Sequence, residues 1–363
     1  MNNKNATRVL FICKKRSKFY GPSFGLINSC KFIVNALRCE GIHAKVVVVN
    51  DNNDIDRVVH EYNPTHVFVE ALWVVPEKFK ELLGLHPKVQ WYVRIHSKIP
   101  FLANEGIAMH WLREYDKISR WFSNFHIAAN SKETCNSFFR AYSIPVFYFP
   151  NIYHPDRCDD DDDCDDDNGH DHDDNEYSEN NDEGQGPTKP ESPIIDIGCF
   201  GAIRPFKNQL NQAFAAITFG NQRGKIINFH INFDRCEQGG GPVLKNLDYA
   251  FKDTKHNLIY HPWMLHREFV ELVKTMDLGL QVSFSETFDI VAADFAWNYV
   301  PVVGSPEVFW LDKKYITDPN SMESMVDRLC FAYDGIKNNK QKVNRKSLEK
   351  YNNDATEVWL NSL

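Results

Sequence analysis

Short apolar runs recur along the chain, separated by longer stretches in which apolar residues return every three to four positions. Before residue 156 the runs are "RVLFICKK", "AKVVVVN", "THVFVEALWV", "VQWYVRIHS", "FHIAANS" and "VFYFPN". Each is too short and too continuous for an amphipathic helix and reads as a strand. Between them lie a glycine-bearing loop and helix in "YGPSFGLINSCKFIVNALRCEG", helices in "DIDRVVHEYN" and "PEKFKELLGLHP", and helical stretches over 103–119 and 132–141. After residue 193 the pattern restarts. Strands "IIDIGCFG", "KIINFHINF", "NLIYHP", "DLGLQVSF" and "VPVVGS" alternate with helices over 208–218, 242–251, 265–276 and 288–298. Strands apolar on both faces and separated by helices predict parallel sheets covered on two sides. The expected fold is therefore α/β, with two Rossmann-like, doubly wound domains facing across a cleft. The domains expected are 1–155 and 194–345, with a final helix over 346–363 packing back toward the first.

Composition adds one feature to that picture. At 363 residues the chain is long for a single core, and its 43% hydrophobic and 25% charged residues are ordinary for a globular protein. No apolar run reaches membrane-spanning length, and the opening "MNNKNATRVLFICKK" lacks a signal-peptide pattern, so a cytoplasmic protein is expected. The nine cysteines are scattered and show no paired metal spacing, which favours free thiols in a reducing compartment. The net charge of −8 conceals an asymmetry. Residues 156–193 hold 17 Asp and Glu against one Arg and one Lys, while the rest of the chain carries 39 basic and 32 acidic side chains. Like charges at that density repel and leave nothing to bury, so the block is expected to be a disordered linker. Its Cys164 and Asn175 stand where an EF-hand loop ending its first half at Gly169 needs acids, and Cys158, Cys164, His170 and His172 miss zinc-finger spacing. Loose cation attraction is the most it predicts.

Candidate chemistry collects after two strands of the second half. In "SETFDIVAADFAWNYVPVVGS" Glu286 and Asp294 stand eight positions apart, one in a loop and one inside the following helix. Asp294 is surrounded by Val291, Ala292, Ala293, Phe295 and Ala296, and an acid in such company needs a partner. Ligands of open α/β sheets bind at the carboxyl ends of strands, where helix N-termini offer free N–H groups and partial positive charge. Carboxylates there suit the hydroxyls of a polyhydroxylated, anionic ligand. Alternatively, Glu286 and Asp289 complement the helix dipole and nothing more. In "IGCFGAIRPFKNQ", Arg204 and Lys207 fall just past a strand end, where two cations and helix-start amides would clamp a pyrophosphate. As plain surface charges they would have no such role.

These stretches resemble retaining glycosyltransferases of the two-domain GT-B fold, in particular the large family 4. "GAIRPFKN" stands in place of that family's strand ending in Gly-Arg with a nearby Lys. "ETFDIVAAD" followed by "NYVPVVGS" stands in place of its two glutamates separated by seven residues and its "GVPVV". "FYFPNIYHP", "YGPSFGLINSCKFIVNALRCEGIHAKVVVV" and "WYVRIHSKIPF" resemble its interdomain segment, first glycine loop and histidine-bearing strand end. Overall, the closest resemblance is to the divergent members found in tailed phages and large DNA viruses, which would place the protein in a host cytoplasm. The chain departs from the pattern in three places. Asp294 replaces the second glutamate, Thr287-Phe288-Asp289 replaces Gly-Phe-Gly, and Asn151-Ile152 replaces Asn-Gly.

The resemblance implies a nucleoside-diphosphate sugar as donor, with no cofactor or metal required. Arg204 and Lys207 would neutralise the leaving diphosphate, and Asp294 would hold the ribose hydroxyls. Glu286 would contact the transferred sugar, and backbone N–H groups of Thr287, Phe288 and Asp289 would touch the sugar or its phosphate. His96 would face the sugar from the first domain, and Gly21 would let the first loop approach the diphosphate. The acceptor stays open: a glycan, a protein or a modified DNA base. Lys14, Lys15, Arg16 and Lys18, beside Phe19 and Tyr20, form a basic stretch suited to an anionic acceptor. Two other classes remain, a nucleic-acid-binding protein without catalysis and a GT-B-like fold that has lost activity.

Overall fold

A computed structural model describes residues 7–15, 24–155 and 192–363. Gly21, the basic residues Arg16 and Lys18, and nearly all of the acidic block lie outside the described residues.

Strands β1 (Arg8–Lys14), β2 (His43–Val49), β3 (His66–Glu70), β4 (Gln90–Ile95), β5 (Phe125–Ala129) and β6 (Val146–Tyr148) form one sheet in the order β2-β1-β3-β4-β5-β6. Every pairing in it is parallel. Helices α1 (Phe24–Cys39), α2 (Asp54–Tyr62), α3 (Pro76–Leu85), α4 (Ile99–Leu102), α5 (Ala108–Trp121) and α6 (Lys132–Tyr142) join its strands. The second sheet has β7 (Ile194–Gly198), β8 (Ile226–Asn232), β9 (Asn257–His261), β10 (Leu278–Gln281) and β11 (Val302–Gly304) in the order β11-β10-β7-β8-β9, again parallel throughout. Its helices are α7 (Gln209–Arg223), α8 (Gly240–Phe251), α9 (His266–Thr275), α10 (Ile290–Trp297) and α11 (Met322–Ile336). Strand order reverses beside β1 in the first sheet and between β7 and β10 in the second. A crevice opens at the carboxyl ends of the strands at each such point.

Three expectations change. The helix read over 103–119 starts only at Ala108, because the chain turns at Ala103–Ile107, where Asn104, Glu105 and Gly106 interrupt the apolar repeat and separate it from the short α4. The strand read through "THVFVEALWV" stops at Glu70, since Ala71 adopts a left-handed φ of 69° and leaves the sheet. Among the described thiols, Cys13, Cys30, Cys135, Cys199, Cys236 and Cys330 are free, but Cys39 at the end of α1 is disulfide-bonded. The expectation of free thiols throughout does not hold. None of the described helices is long and apolar enough to cross a membrane.

The carboxyl ends of the two sheets meet. Lys98, after β4, pairs with Glu307 of the second sheet's side at 2.9 Å, and Asn130, after β5, donates to Thr287 Oγ1 at 3.0 Å. The last helix, α12 (Lys342–Ser362), spans both units. Near its start Asn344 donates to the Val302 carbonyl of β11, and in its middle Asn352 brackets Tyr153, accepting from its N–H and donating to its carbonyl. Near its end Trp359, fully buried, packs on Phe11, Phe68 and Phe149 of the first sheet and donates to the Pro150 carbonyl at 2.8 Å. Trp359→Ala should therefore lower stability by about 3–5 kcal/mol, while Trp121→Ala, 85% exposed, should stay within about 0.5 kcal/mol of wild type. Urea midpoints followed by circular dichroism test this, and equal midpoints for the two variants would show that α12 contributes nothing to the first sheet.

Candidate active site

The loop leaving β7 is shaped before its charges come into play. Gly201 takes a φ of 114°, open to glycine alone, and donates its N–H to Asn232 Oδ1 at 2.9 Å. A single 3-10 turn over Pro205–Lys207 follows, closed by Asn208 in the left-handed region. Asn208 Nδ2 donates to the carbonyls of Val282 and Pro319, and Gln212 donates to the Lys207 carbonyl while accepting from Val282 N. Five hydrogen bonds thus fix the backbone that projects Arg204 and Lys207 toward the end of β10.

Lys207 is almost wholly buried, with Nζ 2.7 Å from Glu286 Oε1 and 3.3 Å from Asp289 Oδ2. Asp289 Oδ2 accepts a hydrogen bond from Lys207, and Glu286 forms the closer ion pair with it. Burial works against the lysine charge, yet Asp289 and Glu286 outweigh it and raise the Lys207 pKa. Burial also pushes the Glu286 carboxyl up, but Lys207 and Arg204 prevail and hold it below its ordinary range. Asp289 goes the other way: burial, reinforced by Glu286, exceeds the pull of Lys207 and raises its pKa. One cation therefore sits between an ionised carboxylate and a carboxyl biased toward its proton. Arg204 stacks on Phe101 across the cleft, 4.7 Å from guanidinium carbon to ring centre, and lies 3.7 Å from Glu237. Its buried Nε has no hydrogen-bond partner among the described residues.

The start of α10 completes this side. Asp289 caps the helix, Oδ1 accepting from Ala292 N at 3.0 Å. The backbone N–H groups of Thr287, Phe288 and Asp289 donate to no acceptor among the described residues. The side chains of two of these three residues are committed elsewhere. The Thr287 hydroxyl is committed across the cleft, accepting from Asn130 and donating to the His96 carbonyl at 3.2 Å. The Phe288 ring is core, stacked on Tyr351, and its carbonyl accepts from Trp310, so only its N–H is open to a ligand.

Asp294 lies one turn into α10 and is buried as its apolar neighbours implied. Its Oδ1 accepts from Tyr153 at 2.6 Å and from His266 Nε2 at 2.7 Å, and it lines a cavity with Gly201, Asn232, Trp263, His266 and Ile290. Burial lowers the His266 pKa, but the hydrogen bond and charge of Asp294 overcome it and the net shift is upward. His96 stands at the rim on the opposite side, at the end of β4. Its Nε2 hydrogen-bonds Glu70, which is fully buried and paired with Arg94 at 3.0 Å. Burial, opposed by Glu70 and aided by Arg94, lowers the His96 pKa, so the ring is neutral near pH 7. One ring nitrogen is thus committed to Glu70, and Asn130 Nδ2 lies 3.4 Å from the other.

The structure brings Arg204, Lys207, Glu286 and Asp289 into one cluster, Asp294 into the adjoining cavity, and His96 and Thr287 to their facing edge. Sequence reading missed Glu70, Arg94, Asn130, Tyr153, His266 and Glu307. Glu70 and Arg94 carried a signal, being charges inside the apolar strands "HVFVE" and "WYVRI"; Tyr153 and His266 carried none, because their partner Asp294 is distant in sequence. Among the described residues no group of three or more His, Cys, Asp or Glu could hold a metal ion.

By sequence, no protein-family model matches the chain and no curated protein matches it. Solved structures match along almost its whole length. A glycosyltransferase from Rickettsia africae aligns with a TM-score of 0.62 at 10% identity, covering 98% of this chain and 97% of that one. A sucrose-phosphate synthase from Thermosynechococcus elongatus aligns with a TM-score of 0.63 at 8% identity, covering 98% of each. An E. coli structure described as trehalose-6-phosphate bound with UDP-2-fluoro glucose aligns with a TM-score of 0.52 at 9% identity, covering 96% of this chain and 99% of that one. The fold is the two-domain GT-B arrangement of parallel sheets.

The His266–Asp294 pair sets a pH dependence. A histidine whose folded pKa is raised stabilises the fold fully below its unfolded value of about 6.5, and that contribution is lost as pH rises through the folded value. The melting temperature of wild type should therefore exceed that of His266→Gln most near pH 6, with the gap closing above neutrality. A gap independent of pH between about 6 and 8.5 would mean that the pair is not ionic.

Proposed function

We propose that the protein transfers a sugar from a nucleoside-diphosphate sugar to an acceptor, with retention of configuration. The observation that carries this reading is the meeting of Arg204, Lys207 and the open N–H groups before α10 at the switch point of the second sheet, inside a GT-B fold. Such a place favours a phosphate anion through charge, directed N–H groups and the helix dipole together. Similarity to structures described as a glycosyltransferase, a sucrose-phosphate synthase and a complex with UDP-2-fluoro glucose supports the same reading.

In this reading, Arg204 and Lys207 neutralise the diphosphate as the anomeric bond breaks. That charge develops in the transition state, so fixed cations act where they lower the barrier. The orphaned Arg204 Nε would reach a phosphate oxygen. Asp294, held by His266 and Tyr153, would meet the ribose hydroxyls in the adjoining cavity, and Glu286 would contact the transferred sugar beside Lys207. With the leaving group held on one side, the acceptor enters from the same face, beside His96. Fixed cations in this role require no divalent metal. The acceptor is a glycan, a protein or a modified DNA base, and its identity is left to experiment.

Uridine, guanosine or adenosine diphosphate should raise the melting temperature, since a ligand at about 100 times its Kd adds about 2.7 kcal/mol to the folded state. Glu286→Ala should abolish transfer while retaining that shift. Arg204→Ala should weaken diphosphate binding by roughly ten- to a hundredfold, the range of one or two charge-assisted hydrogen bonds. No shift with any of the three nucleotides at millimolar concentration, or wild-type turnover in both variants, would overturn the reading.

A further inference from the structure

Asp289 is the one residue at the centre of this site for which donor binding gives no reason. It stands at φ 64° and ψ 85°, left-handed backbone in which glycine is at ease and an L-side chain costs about 1 kcal/mol or more. Its carboxyl is fully buried and occupies both features that a diphosphate would use. Oδ1 takes the N–H of Ala292 at the start of α10, and Oδ2 takes Lys207 Nζ at 3.3 Å. A carboxyl group therefore already sits where phosphate charge is expected.

The local charges sharpen the conflict. Around Lys207 stand Glu286 at 2.7 Å and Asp289 at 3.3 Å, so with both ionised the trio carries a net negative charge. Lys207 is the cation paired with Asp289. Arg204 lies farther off, 3.7 Å from Glu237, which Arg235 also holds at 2.7 Å, and Lys98 pairs with Glu133 and Glu307 at 2.9 Å each. The Cys199 thiol, which faces Lys207 and Asp289 from the end of β7, is pushed by burial up to about 12 and stays neutral. At Lys207 an incoming diphosphate would meet one buried cation shared by two buried anions, and like charges in a site of low dielectric repel strongly. Glu286 keeps its charge because Lys207 and Arg204 both face it, which leaves Asp289 as the group that can yield.

We propose that Asp289 makes diphosphate capture proton-coupled: when the phosphate takes over Lys207, the Asp289 carboxylate takes up one proton from solvent and becomes a neutral hydrogen-bond donor. No covalent bond to carbon or phosphorus changes in this step. One O–H bond forms on Oδ2, and the Lys207 ammonium exchanges a carboxylate partner for a phosphate one. Release of the nucleoside diphosphate reverses it and returns the proton. The upward shift of the Asp289 carboxyl, from burial and then from Glu286 against Lys207, agrees with this direction. The proposal rests on the diphosphate reading above, and its effect is to make the site discriminate against anions as pH rises.

The test is titration calorimetry of wild type, Asp289→Asn and Asp289→Gly with uridine, guanosine and adenosine diphosphates and with inorganic pyrophosphate, in two buffers of different ionisation enthalpy at each pH. Asparagine keeps a capping oxygen and tolerates left-handed backbone, and glycine removes the strain, so at least one variant is expected to fold. Titration of the ligand's own phosphates is common to all three proteins and drops out of the comparison. Expected is an extra uptake approaching one proton per site in wild type alone, with its affinity falling by up to about tenfold per pH unit relative to the variants. Equal proton uptake in wild type and variants would overturn the proposal while leaving the donor reading intact. So would weaker binding by both variants at every pH, because the ionised carboxylate would then be helping. Absence of binding by all three proteins would overturn the donor reading, and this proposal with it.

Discussion

A lysine charge held nearly out of water, between two carboxyl groups, is the constraint around which the second half of the molecule is arranged. Removing one partner of a buried pair typically costs about 3–5 kcal/mol, because the other is left without compensation. Lys207, Glu286 and Asp289 therefore need fixed backbone on both sides. The hydrogen bonds of Asn208 and Gln212 supply it after β7, and the cap on Ala292 supplies it before α10. The parallel sheet brings these two loops together, since strand order reverses between β7 and β10.

The opposite wall is built by the same physics. Glu70 and Arg94, both fully buried, neutralise each other at the carboxyl ends of β3 and β4, and Arg94 also donates to the Phe149 carbonyl near the crossing between units. Glu70 in turn holds the His96 ring. Asn130 and Thr287 then connect this wall to the start of α10, and Lys98 connects it to Glu307. The cleft is thus bridged by polar contacts, together with the rings of Phe101 on Phe206 and of Phe32 on His266. α12, by contrast, anchors its far end in an aromatic cluster of the first sheet.

The fold was legible because strands buried on both faces leave a distinctive mark, and "RVLFIC" and "KIINFHIN" admit few other readings. Glu286, Arg204 and Lys207 were legible for a related reason: charged residues just past apolar strands have few places to go. The burial of Asp294 followed from its neighbours, but its partners did not, since Tyr153 and His266 reach it only through the tertiary fold. Thr287 and Phe288 show the limit of a local pattern. Their place beside α10 was readable, whereas the commitment of one side chain to the cleft and the other to the core depended on Asn130 and Tyr351. The disulfide at Cys39 had no marker in spacing at all.

Lys207 is in this reading the pivot between an internal pair of carboxyls and an external diphosphate. A crystal structure with a nucleoside diphosphate bound tests this most directly. Phosphate oxygens are expected within hydrogen-bond distance of Lys207 Nζ, Arg204 Nε and the N–H groups before α10, with Lys207 drawn away from Asp289. A diphosphate bound elsewhere, with Lys207 still 2.7 Å from Glu286 and 3.3 Å from Asp289, would contradict it.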